Sequence, residues 1–135
     1  MKLSGKKIKE GDKLVGRLSL EALNQAVQEY NGSKDKDEVY VLSLLDIYNT
    51  VLTQAQEFCS GVLESIEDYI ENKSEAWMDS DNGAAHDEWR EAWGVLEDFE
   101  DLTLKDLESK DGKLSTEDLE SASEALAEIP TGPEV

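Results

Sequence analysis

The sequence predicts an all-α protein, a long antiparallel helical hairpin packed with an N-terminal helix and a short C-terminal helical pair. Three observations carry that expectation. Val41, Leu45, Tyr48, Leu52, Ala55, Cys59, Val62, Ile66 and Tyr69 stand alternately four and three residues apart without a miss, and Leu44, Val51 and Phe58 widen the same stripe. Ala85, Trp89, Ala92, Leu96 and Phe99 repeat the spacing after an acidic turn. Nothing between or around these segments calls for a sheet.

Residues 1–17 carry Lys2, Lys6, Lys7, Lys9, Lys13 and Arg17 against Glu10 and Asp12, a net of +4. Gly5, Gly11 and Gly16 punctuate them, so the stretch reads as an irregular basic arm over 1–18, or a short strand pair, and not as a helix. Such an arm is either a flexible leader drawn to its own acidic body or a segment that recognises a partner. Ser19 occupies an N-cap position before Leu20, Leu23, Val27 and Tyr30, and Asn31-Gly32 ends that helix. The long stripe predicts a helix from about Asp37 to Met78, on the order of 60 Å, with Ser60-Gly61 as the place for a bend. Asp79–Gly83 is a turn by composition, closing the hairpin. Thr103 caps one further turn, Leu104 to Leu107. Asp111-Gly112 turns the chain, and Ser115 starts a last helix through Leu119, Ala122, Leu126 and Ile129. The expected organisation is a basic arm (1–18), a single acidic helical domain (19–129) and a flexible tail (130–135).

The chain has 135 residues, 13 Lys+Arg against 32 Asp+Glu, and a net charge of −19. A surface of that sign repels phosphate backbones, which excludes direct nucleic-acid binding through basic patches. No apolar run approaches the roughly 20 residues of a membrane span, and the first residues lack a signal-peptide core, so a cytoplasmic protein without a membrane partner is expected. A single Cys59 excludes an internal disulfide or a cysteine-based zinc site, and a single His86 excludes any site needing two histidines. No cofactor and no metal are expected.

The run Asn72-Lys73-Ser74-Glu75-Ala76-Trp77-Met78-Asp79-Ser80, followed by Gly83, Glu88-Trp89 and Trp93, resembles a pattern in small uncharacterised acidic helical proteins of phage or mobile-element type. That resemblance spans about 25 residues and brings no catalytic residue with it. Asp111-Gly112-Lys113-Leu114-Ser115 and Asp118 resemble the second half of a calcium-binding EF-hand loop, but the first ligand position falls on Leu107 and the third on Ser109. Glu64, Glu67, Asp68 and Glu71, with Glu88 and Glu91, resemble the paired carboxylate motifs by which helical nucleotide pyrophosphohydrolases hold magnesium. Here the apolar stripe turns most of these acids outward, and only Lys73 and Arg90 stand near to meet a triphosphate. His86 reads as an exposed or capping residue, and Cys59 as a buried, inert thiol on the core stripe. Of Trp77, Trp89 and Trp93, two are expected to close the core, and an exposed one becomes a contact anchor.

The acids are more ordered than their number requires. Glu57, Glu64, Asp68, Glu71 and Glu75 fall within an arc of about 60° opposite the apolar stripe, and Asp87, Glu91, Asp98 and Asp101 do the same on the following helix. Glu67 adds to the first row. Two carboxylate rows on opposite outer edges of the hairpin would stand roughly a duplex width apart. This pattern predicts an acidic nucleic-acid-mimic inhibitor whose partner is a basic DNA- or RNA-binding protein, with no catalysis. In size and acidity the chain resembles phage-coded DNA-mimic inhibitors of host defence nucleases. The alternative is a helical structural or assembly protein, possibly a homodimer, acting through the heptad-like stripe while acidity maintains solubility.

Overall fold

The apolar stripe becomes one uninterrupted helix, which is the axis of the molecule. The computed structural model describes residues 1–109 and 111–133. The central helix, α3, spans Val39–Glu71, 33 residues and roughly 50 Å. The Asp37 carboxylate accepts the Val39 N–H at 3.0 Å and so covers one of the free donors at its start. Val41, Leu45, Tyr48, Leu52, Ala55, Cys59, Val62 and Ile66 are all buried, as their spacing predicts.

The helix continues through Ser60-Gly61 without a break. It stops at Glu71, well short of Met78, because Ser74 starts a new element: its hydroxyl accepts the Trp77 N–H at 3.2 Å and caps α4, Glu75–Met78. Nor is Asp79–Gly83 a loop. Ser80 accepts the Gly83 N–H at 3.3 Å and caps α5, Asp81–Ala92, so Asp81, Asn82 and Gly83 form its first turn.

After α4 the chain returns antiparallel to α3. Tyr69 meets His86, Glu67 meets Arg90, Phe58 meets Trp93, Gln56 meets Leu96 and Phe99, and Asn49 meets Leu102. Only the first part of this return is helical. α5 ends at Ala92, just before Gly94, and Leu96 and Phe99 pack from turns and not from the helix predicted for them. Side-chain amides satisfy the backbone that the missing helix leaves open. Asn49 donates to Leu102 O at 2.8 Å and accepts from Leu102 N at 2.7 Å, while Gln56 donates to Leu96 O and Phe99 O.

At the start of the chain, residues expected to be an irregular arm form α1, Gly5–Arg17, with Ser4 accepting the Lys7 N–H as its cap. Ile8, Gly11, Leu14, Val15 and Leu18 share its inner face, and Leu18 is fully buried. Glycine costs about 1 kcal/mol in a helix interior, but packing of this face on α3 and on α7 (Ala122–Ala127) outweighs that cost. α2, Glu21–Gly32, closes as expected at Asn31-Gly32; its N-cap is Leu20, with the Ser19 hydroxyl accepting from Glu21 N one residue earlier. Thr103 begins α6, Leu104–Leu107, in a capping box with Asp106, as the sequence predicts.

The last helix is shorter than expected. Ser115–Glu120 are turns and irregular chain, held by Thr116 Oγ1 donating to Asn24 Oδ1 at 2.9 Å, and α7 starts only where Ser121 accepts the Glu124 N–H. The expected loose tail is fastened at its base: Trp89 Nε1 donates to Pro130 O at 2.7 Å, and Leu3 N donates to Thr131 O at 3.0 Å. Residues 134–135 lie outside the described residues.

The core has two parts. Leu23, Ala26 and Val27 of α2, with Leu107 and Leu114, cover the first half of α3; Leu18, Trp89, Trp93, Leu96, Leu126 and Ile129 cover the second. Ile66 is completely buried in the second part. Ile66→Asp places an unpaired charge there, and we expect circular dichroism to show loss of the cooperative thermal transition. Asn49→Ala leaves both Leu102 backbone groups without their partner, and should lower unfolding stability by about 1–3 kcal/mol in denaturant titration.

Candidate functional site

The elbow that joins α3 to α5 brings the chain's densest charge next to its aromatic residues. From Glu57 to Asp101 there are fifteen acidic residues against Lys73 and Arg90, a net of −13. Each of the ten acids singled out in the sequence is exposed: Glu57, Glu64, Glu67, Asp68 and Glu71 on α3, Glu75 on α4, Asp87 and Glu91 on α5, and Asp98 and Asp101 beyond the end of α5.

Their arrangement differs from two helical rows on opposite edges. On α3, Glu57, Glu64, Asp68 and Glu71 do lie within about 60° of one another. Glu75 is separated from them by the Asn72–Ser74 break, and the second row loses helical spacing at Ala92. The rows also meet. Arg90 is placed between the helices, its Nη2 2.6 Å from Asp87 Oδ1 and its Nη1 3.7 Å from Glu67 Oε1. Hydrogen bonding to Asp87, and then its negative charge, push the Arg90 guanidinium further above its ordinary range. Two of the ten carboxylates thus share one cation.

Beneath this surface lies an aromatic stack. His86, expected to be exposed, is buried, with its ring stacked on Tyr69 at 5.3 Å and edge-on to Trp77 at 5.0 Å and Trp89 at 6.3 Å. Its Nδ1 is 2.7 Å from Asn82 O. A carbonyl only accepts, so Nδ1 carries the proton and Nε2 takes the Met1 nitrogen at 3.2 Å as donor. Lys73 Nζ lies 4.3 Å from the centre of the Tyr69 ring, a cation–π contact that closes the stack from outside. Trp89 and Trp93 are buried and close the core; Trp77 is half-buried.

This gives the Asn72–Trp93 motif a structural reason. Ser74 and Ser80 are helix caps, Trp77 and Trp89 enclose His86, and Gly83 is where α5 crosses α4. A Cβ on Gly83 would lie 2.4 Å from both Trp77 O and Met78 O, so only glycine fits. No sequence signal distinguishes His86 as a core residue, because its partners come from three separate segments.

Other candidate chemistry falls away. In the EF-hand-like stretch, Leu107 is buried in the core and offers no ligand, and the Asp111 carboxylate is taken by the Ser109 hydroxyl and the Lys113 N–H, which hold it below its ordinary range. Lys110 lies outside the described residues. Glu64, Glu67, Asp68, Glu71, Glu88 and Glu91 all face solvent and do not converge as magnesium ligands. Among the described residues there is no group of three or more His, Cys, Asp or Glu able to hold a metal ion, and no helix long and apolar enough to cross a membrane. Cys59 is buried, and burial pushes its thiol up to about 11 from 9.0.

Comparison with protein-family models, with curated proteins and with solved structures gives no match to this chain. The chain's own surface is what speaks to its role.

The close packing at Gly83 and the burial of Cys59 each have a measurable consequence. Gly83→Ala should lower the thermal midpoint by several degrees, and tryptophan fluorescence should report the shifted Trp77 environment. For Cys59, the unfolded state loses its proton near pH 9.0 while the folded state keeps it to about 11, so the thiol's contribution is fully present below the first value and is lost as pH rises towards the second. Denaturant titration across that range tests the sign, and a disulfide-exchange reagent should label Cys59 only on unfolding.

Proposed function

We propose that this chain acts without catalysis, as an acidic protein that occupies the basic surface of a nucleic-acid-binding protein. The observation that carries this reading is the exposed carboxylate surface of the Glu57–Asp101 segment around the elbow, net −13, whose two cations are both engaged with neighbouring side chains. Such a surface attracts a basic groove over long range and replaces the phosphates that the groove is built to hold. Because Asp98 lies in a turn, Asp101 in irregular chain and Glu75 on a separate helix, the imitation is one of charge density and not of duplex geometry. The resemblance to phage-coded DNA-mimic inhibitors would make a host defence nuclease the target class. The ordered aromatic base under the acids supports the reading further, since carboxylates held on a fixed frame lose less entropy on binding.

The test is competition. Basic nucleic-acid-binding proteins captured by the immobilised chain should be released by duplex DNA, and their affinity should fall steeply as salt is raised. Glu64→Lys together with Glu71→Lys, both solvated positions, should keep the circular dichroism spectrum and weaken capture by about tenfold or more. Capture that ignores salt, DNA and both substitutions would end the proposal.

A further inference from the structure

We propose that a small cavity between α1, α3 and α7 binds a small neutral carbonyl compound, a short ketone being its simplest form, on the indole N–H of Trp93. This site does not depend on the acidic surface.

The cavity has a volume of about 80 Å³. Ile8, Val15, Phe58, Leu126 and Ile129 form its wall with Trp93, and the exposed Lys7 and Asp12 mark its mouth. Trp93 is 4% exposed, and among the described residues its Nε1 is the one buried side-chain polar atom without a hydrogen-bond partner. Trp89 shows the usual arrangement, its Nε1 donating to Pro130 O. A buried donor left open forfeits its hydration without return. The Phe58 ring, edge-on to Trp93 at 5.9 Å and 66°, is a weak acceptor at most.

Gly11 is a separate observation at the same place. It lies on the inner face of α1, lines the cavity and has no positive φ. A Cβ there would meet the Phe58 ring at 3.5 Å, ordinary van der Waals contact. Alanine would fit and would favour the helix, so neither the backbone nor the packing calls for glycine. What the missing methyl group does is leave the cavity open.

The donor and the wall define the ligand. An apolar cavity on the order of 150 Å³ takes benzene, so this one takes about three to four non-hydrogen atoms. Water fits by size, but it needs two to four polar partners and finds a single N–H in an apolar wall. A carboxylate would bury its charge against one neutral donor. An alcohol accepts the bond but brings a hydroxyl proton for which the wall has no acceptor. A ketone or ester carbonyl accepts and brings no donor, and its methyl groups meet the wall.

Acetone is the probe. In an isotope-labelled chain the Trp93 indole N–H resonance, assigned by its loss in Trp93→Phe, should move downfield and saturate as acetone is raised to about 50 mM, since a ligand of this size binds no tighter than about 40 µM. Gly11→Ala should fold with an equal or higher thermal midpoint, fill the space and weaken binding by about tenfold or more. Isopropanol and acetate, alike in size, should each bind about fivefold more weakly or worse. Absence of a saturable shift at Trp93 overturns the proposal, as does acetone binding that folded Gly11→Ala leaves intact. Isopropanol or acetate binding as well as acetone overturns the assignment to a neutral carbonyl.

Discussion

Burial of the Val41–Ile66 stripe is the interaction on which the rest of the structure depends. Each large side chain it removes from water contributes roughly 1.5–3 kcal/mol, but a single helix of 33 residues cannot bury its own stripe. Every other element is a cover for part of it. α2 with Leu107 and Leu114 covers one half, α1, α5 and α7 the other, and Leu20 and Leu102 touch both groups and join them. The covers are short because each follows the face of α3 for a few turns and then hands over to the next. The returning chain accordingly leaves helical geometry after Ala92. Backbone that gives up its helical partners needs others, and Asn31, Asn49 and Gln56 supply them from the helices: Asn31 pairs both backbone groups of Leu114 as Asn49 does those of Leu102.

The elbow follows from the same constraint. For α5 to reach Ile66 from the end of α3 the chain must reverse within a few residues, and two serine caps with Gly83 between closely packed carbonyls accomplish it. The reversal brings Tyr69, Trp77, His86 and Trp89 together and fills the corner. With the aromatic groups and most apolar ones committed inward, the acids of the same segments have only solvent to face. Acidic display and structural elbow are two sides of one packing solution.

How much of this could be read in the sequence depends on the distance over which each feature is decided. The stripe of α3 was legible because helical periodicity is a property of neighbouring residues, and so were the Thr103 cap and the stop at Asn31-Gly32. α1 was not, since three glycines speak against a helix locally and only packing on α3 and α7 tips the balance the other way. The start of α7 was misplaced for a similar reason: Ser115 and Ser121 are equally good caps by composition, and the bond from Thr116 to Asn24, 92 residues away in sequence, decides between them. Leu96 and Phe99 keep the helical spacing of the residues before them, yet the carbonyls they offer to Gln56 belong to turns. The exposure of all ten acids followed from the stripe, whereas the meeting of Glu67 and Asp87 at Arg90 required the crossing of two helices that no local pattern specifies.

The basic residues of α1 complete the electrostatic picture. An irregular leader would have been free to fold its cations onto the acidic body. As a helix with its apolar face docked, α1 instead holds Lys6, Lys9, Lys13 and Arg17 within about 80° of one another on the outward side, all exposed. Among the described residues the ion pairs are Lys7 with Glu10 inside α1, and Arg90 with Glu67 and Asp87 at the elbow. None links α1 to the acidic body. The charge of the chain is therefore separated by structure and not neutralised by it. On the proposed reading a basic partner would be repelled from α1 and drawn to the elbow, so the fold would set the direction of its approach as well as its strength.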